Sequence, residues 1–181
     1  KLKRFVFGII LCLWMQETYA QSAIFKWDIP VESEIYHLKS GNKEILVGSH
    51  ISIIGNDYPM PFIGEVVGGK VNLRTWSNNR YCKMQFANVL PNGNIVIAGT
   101  IPETEGDKTG NTDIYYSLFN SDLDFLYSKQ LRKKGNEILY SMGVNPNNEI
   151  LLHYCSTVGL DPVRKISTKV SKDGSIIWST D

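Results

Sequence analysis

Apolar and polar positions along this chain recur in phrases. Residues 88–100 read Asn-Val-Leu-Pro-Asn-Gly-Asn-Ile-Val-Ile-Ala-Gly-Thr, and weaker copies stand at 38–49 and 143–155. In each, a polar turn precedes a short unbroken apolar run. Ile45, Ile95 and Ile150 take the same place in the three copies, 50 and then 55 residues apart, and a period of that length marks a repeat architecture. A second phrase follows the first. Lys165–Ser179 is a strand-like run broken by Asp173-Gly174, and Phe62–Leu73 is a similar run broken by Gly68-Gly69. In the middle copy Asp122 matches Asp173, while Phe125 and Tyr127 match Ile176 and Trp178. Gly69 precedes Gly174 by 105 residues, the offset that also separates Ile45 from Ile150.

Each copy therefore predicts four strands. In the middle one they run roughly from Cys82 to Leu90, Ile95 to Thr100, Asp113 to Asn120 and Phe125 to Gln130. Pro91-Asn-Gly-Asn94 joins the first two, since proline presets φ and Asn-Gly tolerates the left-handed region. Asp173-Gly174 predicts a two-residue hairpin turn. The runs Ile95–Ala98 and Ile150–Cys155 are too short for ordinary helices and predict strands buried on both faces. The expected fold is all-β: a β-propeller-like array of about three four-stranded antiparallel blades, roughly 28–76, 77–130 and 131–181. Propellers ordinarily have four to eight blades, so the expectation is an incomplete ring and the N-terminal part of a longer protein, with further blades downstream. Phe25-Lys-Trp27 resembles the ends of the later copies and reads as the outer strand of a last blade.

Residues 1–20 fall outside the repeat. Lys1, Lys3 and Arg4 precede an apolar stretch from Phe5 to Met15, and Thr18-Tyr19-Ala20 ends it with small residues where a signal peptidase reads. The expectation is a secretory signal peptide, a mature chain beginning at Gln21, and a secreted or cell-envelope location. The stretch is shorter than the ~20 apolar residues of a membrane span, so no span is expected. A lipoprotein reading through Cys12 is opposed by Leu11, where a small residue should precede an acylated cysteine. The chain has 19 basic and 18 acidic residues; without the three and one in residues 1–20 it carries 16 and 17, a net charge of −1. That balance speaks against nucleic acid, which calls for a basic patch. Cys82 and Cys155 fall on non-equivalent strands, which favours two separate small core residues over a disulfide.

The paired phrases Pro91–Thr100 and Val170–Thr180 resemble the repeats of secreted bacterial β-propellers. That resemblance covers residues 24–181. It implies fold and export, in a family with many long surface proteins that end in a C-terminal sorting domain, but it implies no chemistry. The first copy departs most, with Ser40-Gly-Asn-Lys in place of Pro-Asn and Leu73 where an aromatic is expected. Ser171, Asp173 and Trp178 are similar to the Asp-box of sialidase-like propellers, with Gly174 one place early; there the box is a turn device. Gly174 and Trp178 also match, once, the glycine and docking tryptophan of quinoprotein propellers.

Candidate chemistry is sparse. His37, His50 and His153 lack metal-ligand spacing and read as strand histidines satisfied by neighbours. No nucleophile elbow, phosphate loop or paired zinc motif occurs, so no catalytic residue and no organic cofactor is expected. The most polar loop offers Glu103, Glu105, Asp107, Asn111 and Asp113 as oxygens for calcium, which takes six to eight, although Lys108 opposes it and a solvated loop accounts for the same residues. Asp122, Asp124 and Asp173 read as turn residues. Tyr58, Phe62, Trp76 and Tyr81 lie near loop boundaries, where they either present aromatic rings to a ligand or pack in the core. The function expected is a non-enzymatic binding or structural scaffold whose partners are surface carbohydrate or protein. The alternative is part of a glycan-processing propeller enzyme whose catalytic residues lie outside this chain.

Overall fold

The computed structural model describes residues 35–51, 59–75, 82–102, 110–132, 135–159 and 161–180. The leader, Phe25–Trp27, Tyr58, Trp76, Tyr81, Glu103, Glu105 and Asp107 lie outside them. The first sheet contains β1 (Ile35–Ser40), β2 (Lys43–Ile51), β3 (Pro59–Val67) and β4 (Lys70–Thr75). The second contains β5 (Lys83–Val89), β6 (Ile95–Pro102), β7 (Thr112–Phe119) and β8 (Phe125–Leu131). The third contains β9 (Asn136–Val144), β10 (Ile150–Thr157), β11 (Arg164–Val170) and β12 (Ile176–Ser179). Every strand pairs antiparallel with its neighbours in sequence, so each sheet is a four-stranded meander. The expected all-β class and the repeated four-stranded sheet are observed.

The sheets stack in chain order, and two apolar clusters join them. Ile45, Val47 and Ile63 of the first sheet meet Met84, Ile95, Ile97 and Phe119 of the second. Val96, Ala98, Ile114, Tyr116 and Leu118, on the other side of the second sheet, meet Leu139, Ile150, Leu152 and Tyr154 of the third. The second sheet is thus packed on both faces, and Ile95–Ala98 are sealed from solvent as the apolar run predicts. β10 differs: Ile150, Leu152 and Tyr154 are buried, whereas Leu151, His153 and Cys155 are half-buried. Its run is apolar, but only one face is covered.

Turn lengths correct the residue-level alignment of the first copy. Leu90 donates its N–H to Asn94 O at 2.7 Å, and Gly93 donates to Leu90 O at 2.8 Å. The same pair of bonds closes Asn120–Asp124, Asn145–Glu149 and Ser171–Ser175. In each, the third connecting residue has positive φ: Gly93, Leu123, Asn148 and Gly174. These are three-residue connections with a bulge. Asp173-Gly174 is therefore no two-residue turn, and a single positive φ, at Gly174, serves it. Ser40 instead pairs with Lys43 across two residues, as Val67 does with Lys70 across Gly68-Gly69, both of positive φ.

Because β1–β2 is one residue shorter, Ile45 is shifted by one place relative to Ile95. A one-residue shift in a strand reverses the face. Ile45 accordingly points forward into the second sheet, where it shares a cluster with Ile95, which points back. Ile150 points back too, toward Val96. All three occupy the second strand of their sheets, but Val96 and not Ile95 matches Ile45 by face.

Leu123 illustrates how packing overrides backbone preference. Its φ of 64° costs a non-glycine residue ~1–2 kcal/mol. Its side chain is 3% exposed in the first inter-sheet cluster, and burying a leucine contributes ~1.5–3 kcal/mol. Burial wins, so a leucine stands where Gly93 and Gly174 stand elsewhere.

Candidate functional site

A meander sends successive connections to opposite ends, and the two ends of these sheets differ in kind. Among the described residues, the six tight turns lie at one end, and four of them are bonded to one another. Ser40 Oγ donates to Gly93 O at 3.3 Å, Lys43 Nζ to Ser121 O at 2.9 Å, and Asn92 N–H to Asn148 Oδ1 at 2.9 Å. Short polar side chains rigidify the turns from within. Asn120 Oδ1 accepts from the N–H groups of Asp122 and Asp124, and Asn145 Oδ1 accepts from those of Asn147 and Glu149. Asp122, Asp124 and Asp173 thus sit in turns, as expected. Ser171 donates to Asp173, and its Oγ accepts from Ser175 N–H, so these residues of the Asp-box-like phrase build a turn.

Charge pairs tune this end. Lys43 Nζ lies 2.7 Å from Asp122 Oδ1, and its hydrogen bond holds the carboxyl below the usual range while raising the lysine. Glu149 is likewise depressed, first by a hydrogen bond from Lys169 at 2.6 Å and then by one from Asn145 at 2.5 Å. For such a carboxylate the folded pKa lies below the unfolded value of about 4.3. Its stabilising contribution is present above that value and is lost as pH falls through the depressed folded one. Carbon-13 titration of the Glu149 carboxyl is expected to give a midpoint below the ordinary range that moves upward in Lys169→Ala. A midpoint indifferent to that substitution contradicts the assignment.

The longer connections, 52–58, 76–82, 103–111, 132–135 and 158–163, leave from the other end. At that end of the strands lies a polar patch between the second and third sheets. Thr112 Oγ1 donates toward Asn136 Oδ1 and Glu137 O, both at 2.7 Å. The fully buried Glu137 accepts from Ser156 Oγ at 2.9 Å. On the opposite face of β7, toward the first sheet, Asp113 is also fully buried, and its Oδ2 accepts from Gln130 Nε2 at 2.6 Å. Its Oδ1 is buried without a hydrogen-bond partner, an arrangement that costs ~1–3 kcal/mol and that a cation or an ordered donor at this end would relieve.

Of the calcium candidates, Asn111 is exposed and Asp113 is enclosed; adjacent strand positions face opposite ways, so Asp113 and Thr112 serve different faces. Among the described residues, no group of three His, Cys, Asp or Glu side chains converges. His153 Nδ1 lies 2.8 Å from Ser167 Oγ, and its ring stacks on Tyr140 at 6.2 Å. His37 Nε2 lies 3.9 Å from Glu44. These are strand histidines with neighbouring partners. Cys82 and Cys155 are free thiols, and burial pushes Cys82 up. Phe62 is fully buried and presents nothing to solvent. Among the described residues, no helix is long and apolar enough to cross a membrane.

Sequence reasoning missed two features. One is Glu137, whose signal was a lone acid in the apolar alternation of β9. The other is a groove of about 290 Å³ at the turn end of the third sheet, lined by Gly143, Asn145, Glu149, Leu151, Lys169 and Trp178. No family model matches the sequence, and no curated protein matches it.

Proposed function

We propose that the chain is a β-propeller-type segment that serves outside the cell as a non-enzymatic scaffold, with recognition of surface carbohydrate or protein on its loop end. The observation that carries this reading is the segregation of connections. The tight turns are short, and four of the six among the described residues are bonded to one another, whereas the longer connections leave from one shared end. Loops that vary over a rigid scaffold are where partners are read. The stacking of β5 against β1 and of β9 against β5 supports a radial arrangement of blades, in which further units complete a ring.

Titration calorimetry with calcium and with a glycan panel, on the full chain and on a variant lacking 103–111, tests where binding resides. The expected result is loss of binding on deletion; unchanged binding rejects the loop, and hydrolysis by the pure chain rejects the scaffold. Export rests on the basic start, apolar core and Thr-Tyr-Ala ending of residues 1–20. The expected intact mass from a secreting host is that of a chain beginning at Gln21, and exported protein retaining Lys1 contradicts it.

A further inference from the structure

Hydrogen bonds across the sheets single out the β5–β6 turn. Lys43 and Arg74 hold the β7–β8 turn on the first sheet, and the hydroxyls of Tyr116 and Tyr127 hold the β11–β12 turn on the second. Pro91-Asn92-Gly93 is bonded to the sheets on both sides. Ser40 Oγ of the first sheet donates to Gly93 O at 3.3 Å, and Asn92 N–H donates to Asn148 Oδ1 of the third at 2.9 Å. A change of covalent structure in this turn therefore reaches all three sheets.

The sequence of the turn supplies the chemistry for such a change. Asn92-Gly93 is the sole Asn-Gly pair of the sequence. In this pair the Gly93 nitrogen, unhindered by a side chain, attacks Asn92 Cγ; ammonia leaves, a five-membered imide forms, and water opens it at either carbonyl to give aspartate or isoaspartate. Asn92 is exposed, and nothing lies nearer than 3.8 Å to a Cβ built on Gly93, so the reaction has room. The hydrogen bonds of the turn oppose it. Gly93 N–H is committed to Leu90 O at 2.8 Å, and Asn92 Oδ1 accepts from Asn94 N–H at 3.1 Å. Both reacting groups are held until the turn opens, and Asn148 grips the Asn92 backbone from the third sheet. Asp173-Gly174, the analogous pair, is protected differently: hydrogen bonding from Ser171 holds its carboxyl below the usual range, and an ionised carboxylate is a poor acyl donor.

We propose that Asn92 is a spontaneous modification site whose reaction is held back by the contact with Asn148 of the third sheet. The two products differ in effect. Aspartate already stands at the same place of equivalent turns, as Asp122 and Asp173, and leaves the turn intact. Isoaspartate carries the main chain through the side-chain carbon and lengthens it by one atom. Leu90 and Asn94 then lose the three-residue closure, and the bonds to Ser40 and Asn148 go with it. Parting of the second and third sheets at their turns thus exposes Asn92 to a reaction that loosens this end of the stack irreversibly.

Incubation of the full chain at neutral pH, followed by peptide mapping with enzymatic methylation of isoaspartate, tests this. Isoaspartate at Asn92 is expected to form readily in urea and slowly in the folded chain. Asn148→Gly accepts the φ of 61° found at Asn148 and removes the acceptor. It should speed the folded-state reaction about fivefold, the weight of one hydrogen bond in a local opening equilibrium. Ser40→Ala, which releases Gly93 O, gives a second reading if Asn148→Gly loses its far-ultraviolet strand signature. Equal rates in urea and in the folded chain overturn the proposal. So do a folded-state rate indifferent to both variants and a urea-treated chain without isoaspartate at Asn92.

Discussion

Gly99→Ala is expected to destabilise the chain by about 1–3 kcal/mol, the range for forcing extra volume into a packed interior. A Cβ there would lie 1.9 Å from Lys83 O, 2.8 Å from Lys83 C and 2.9 Å from Met84 Cα. All three are backbone atoms, which cannot swing aside as a side chain can. The cause is local: β5 pairs with β6 through an irregularity between Met84 and Phe86, beside the Met84–Gly99 pair. Gly143→Ala is the control, since nothing lies within 4 Å of its Cβ position and its φ is not positive. It should be neutral or gain up to about 1 kcal/mol from the reduced freedom of the unfolded chain. Urea denaturation midpoints decide this; equal midpoints for Gly99→Ala and the parent would mean that β5 does not cross Gly99 as described.

Tyr116→Ala carries the larger expected loss, about 3–5 kcal/mol, as for other large buried aromatics cut to alanine. Tyr116 is fully buried between the second and third sheets. Its ring meets Tyr127 edge-on at 6.5 Å, and its hydroxyl donates to Gly174 O. Burial, aided by nearby Tyr127 and Asp173, pushes its hydroxyl pKa far up, and Tyr127 is pushed up to about 12. Tyr116→Phe separates the ring from the hydroxyl: it removes one hydrogen bond and should cost about 1 kcal/mol. A loss below about 1 kcal/mol for the alanine variant would place Tyr116 outside any inter-sheet core.

Strand order was legible in the sequence because hairpin turns and apolar runs are local signals. Asp122 and Asp173, matched by spacing alone, occupy the same place in equivalent turns, and the strands of the middle copy fall within two residues of their expected limits. What failed was register in the first copy. Ser40-Gly-Asn-Lys closes in two residues where Pro91-Asn-Gly closes in three, and this reverses the face of Ile45 while leaving it in the right strand. Composition does not encode which faces are covered, so β10 read as doubly buried although only the Ile150, Leu152 and Tyr154 side is packed. The loop end was legible only as polarity. Asp113 looked like a solvent-facing ligand, yet its position on β7 encloses it beside Gln130, a partner 17 residues away. Comparing repeats residue by residue would have exposed the groove, because Lys169 and Trp178 stand where Leu118 and Tyr127 are packed.

The central claim is that consecutive four-stranded units stack with the turn of each seated on the face before it. Proton NMR tests it most directly, through cross-relaxation between the Tyr127 ring and the Gly174 α-protons and between the Tyr36 ring and Gln85, whose carbonyl the Tyr36 hydroxyl approaches. The account predicts both contacts, with Gly174 α-protons shifted by the tyrosine ring current. Contacts confined to pairs within single sheets, with neither cross-sheet signal present, would contradict it.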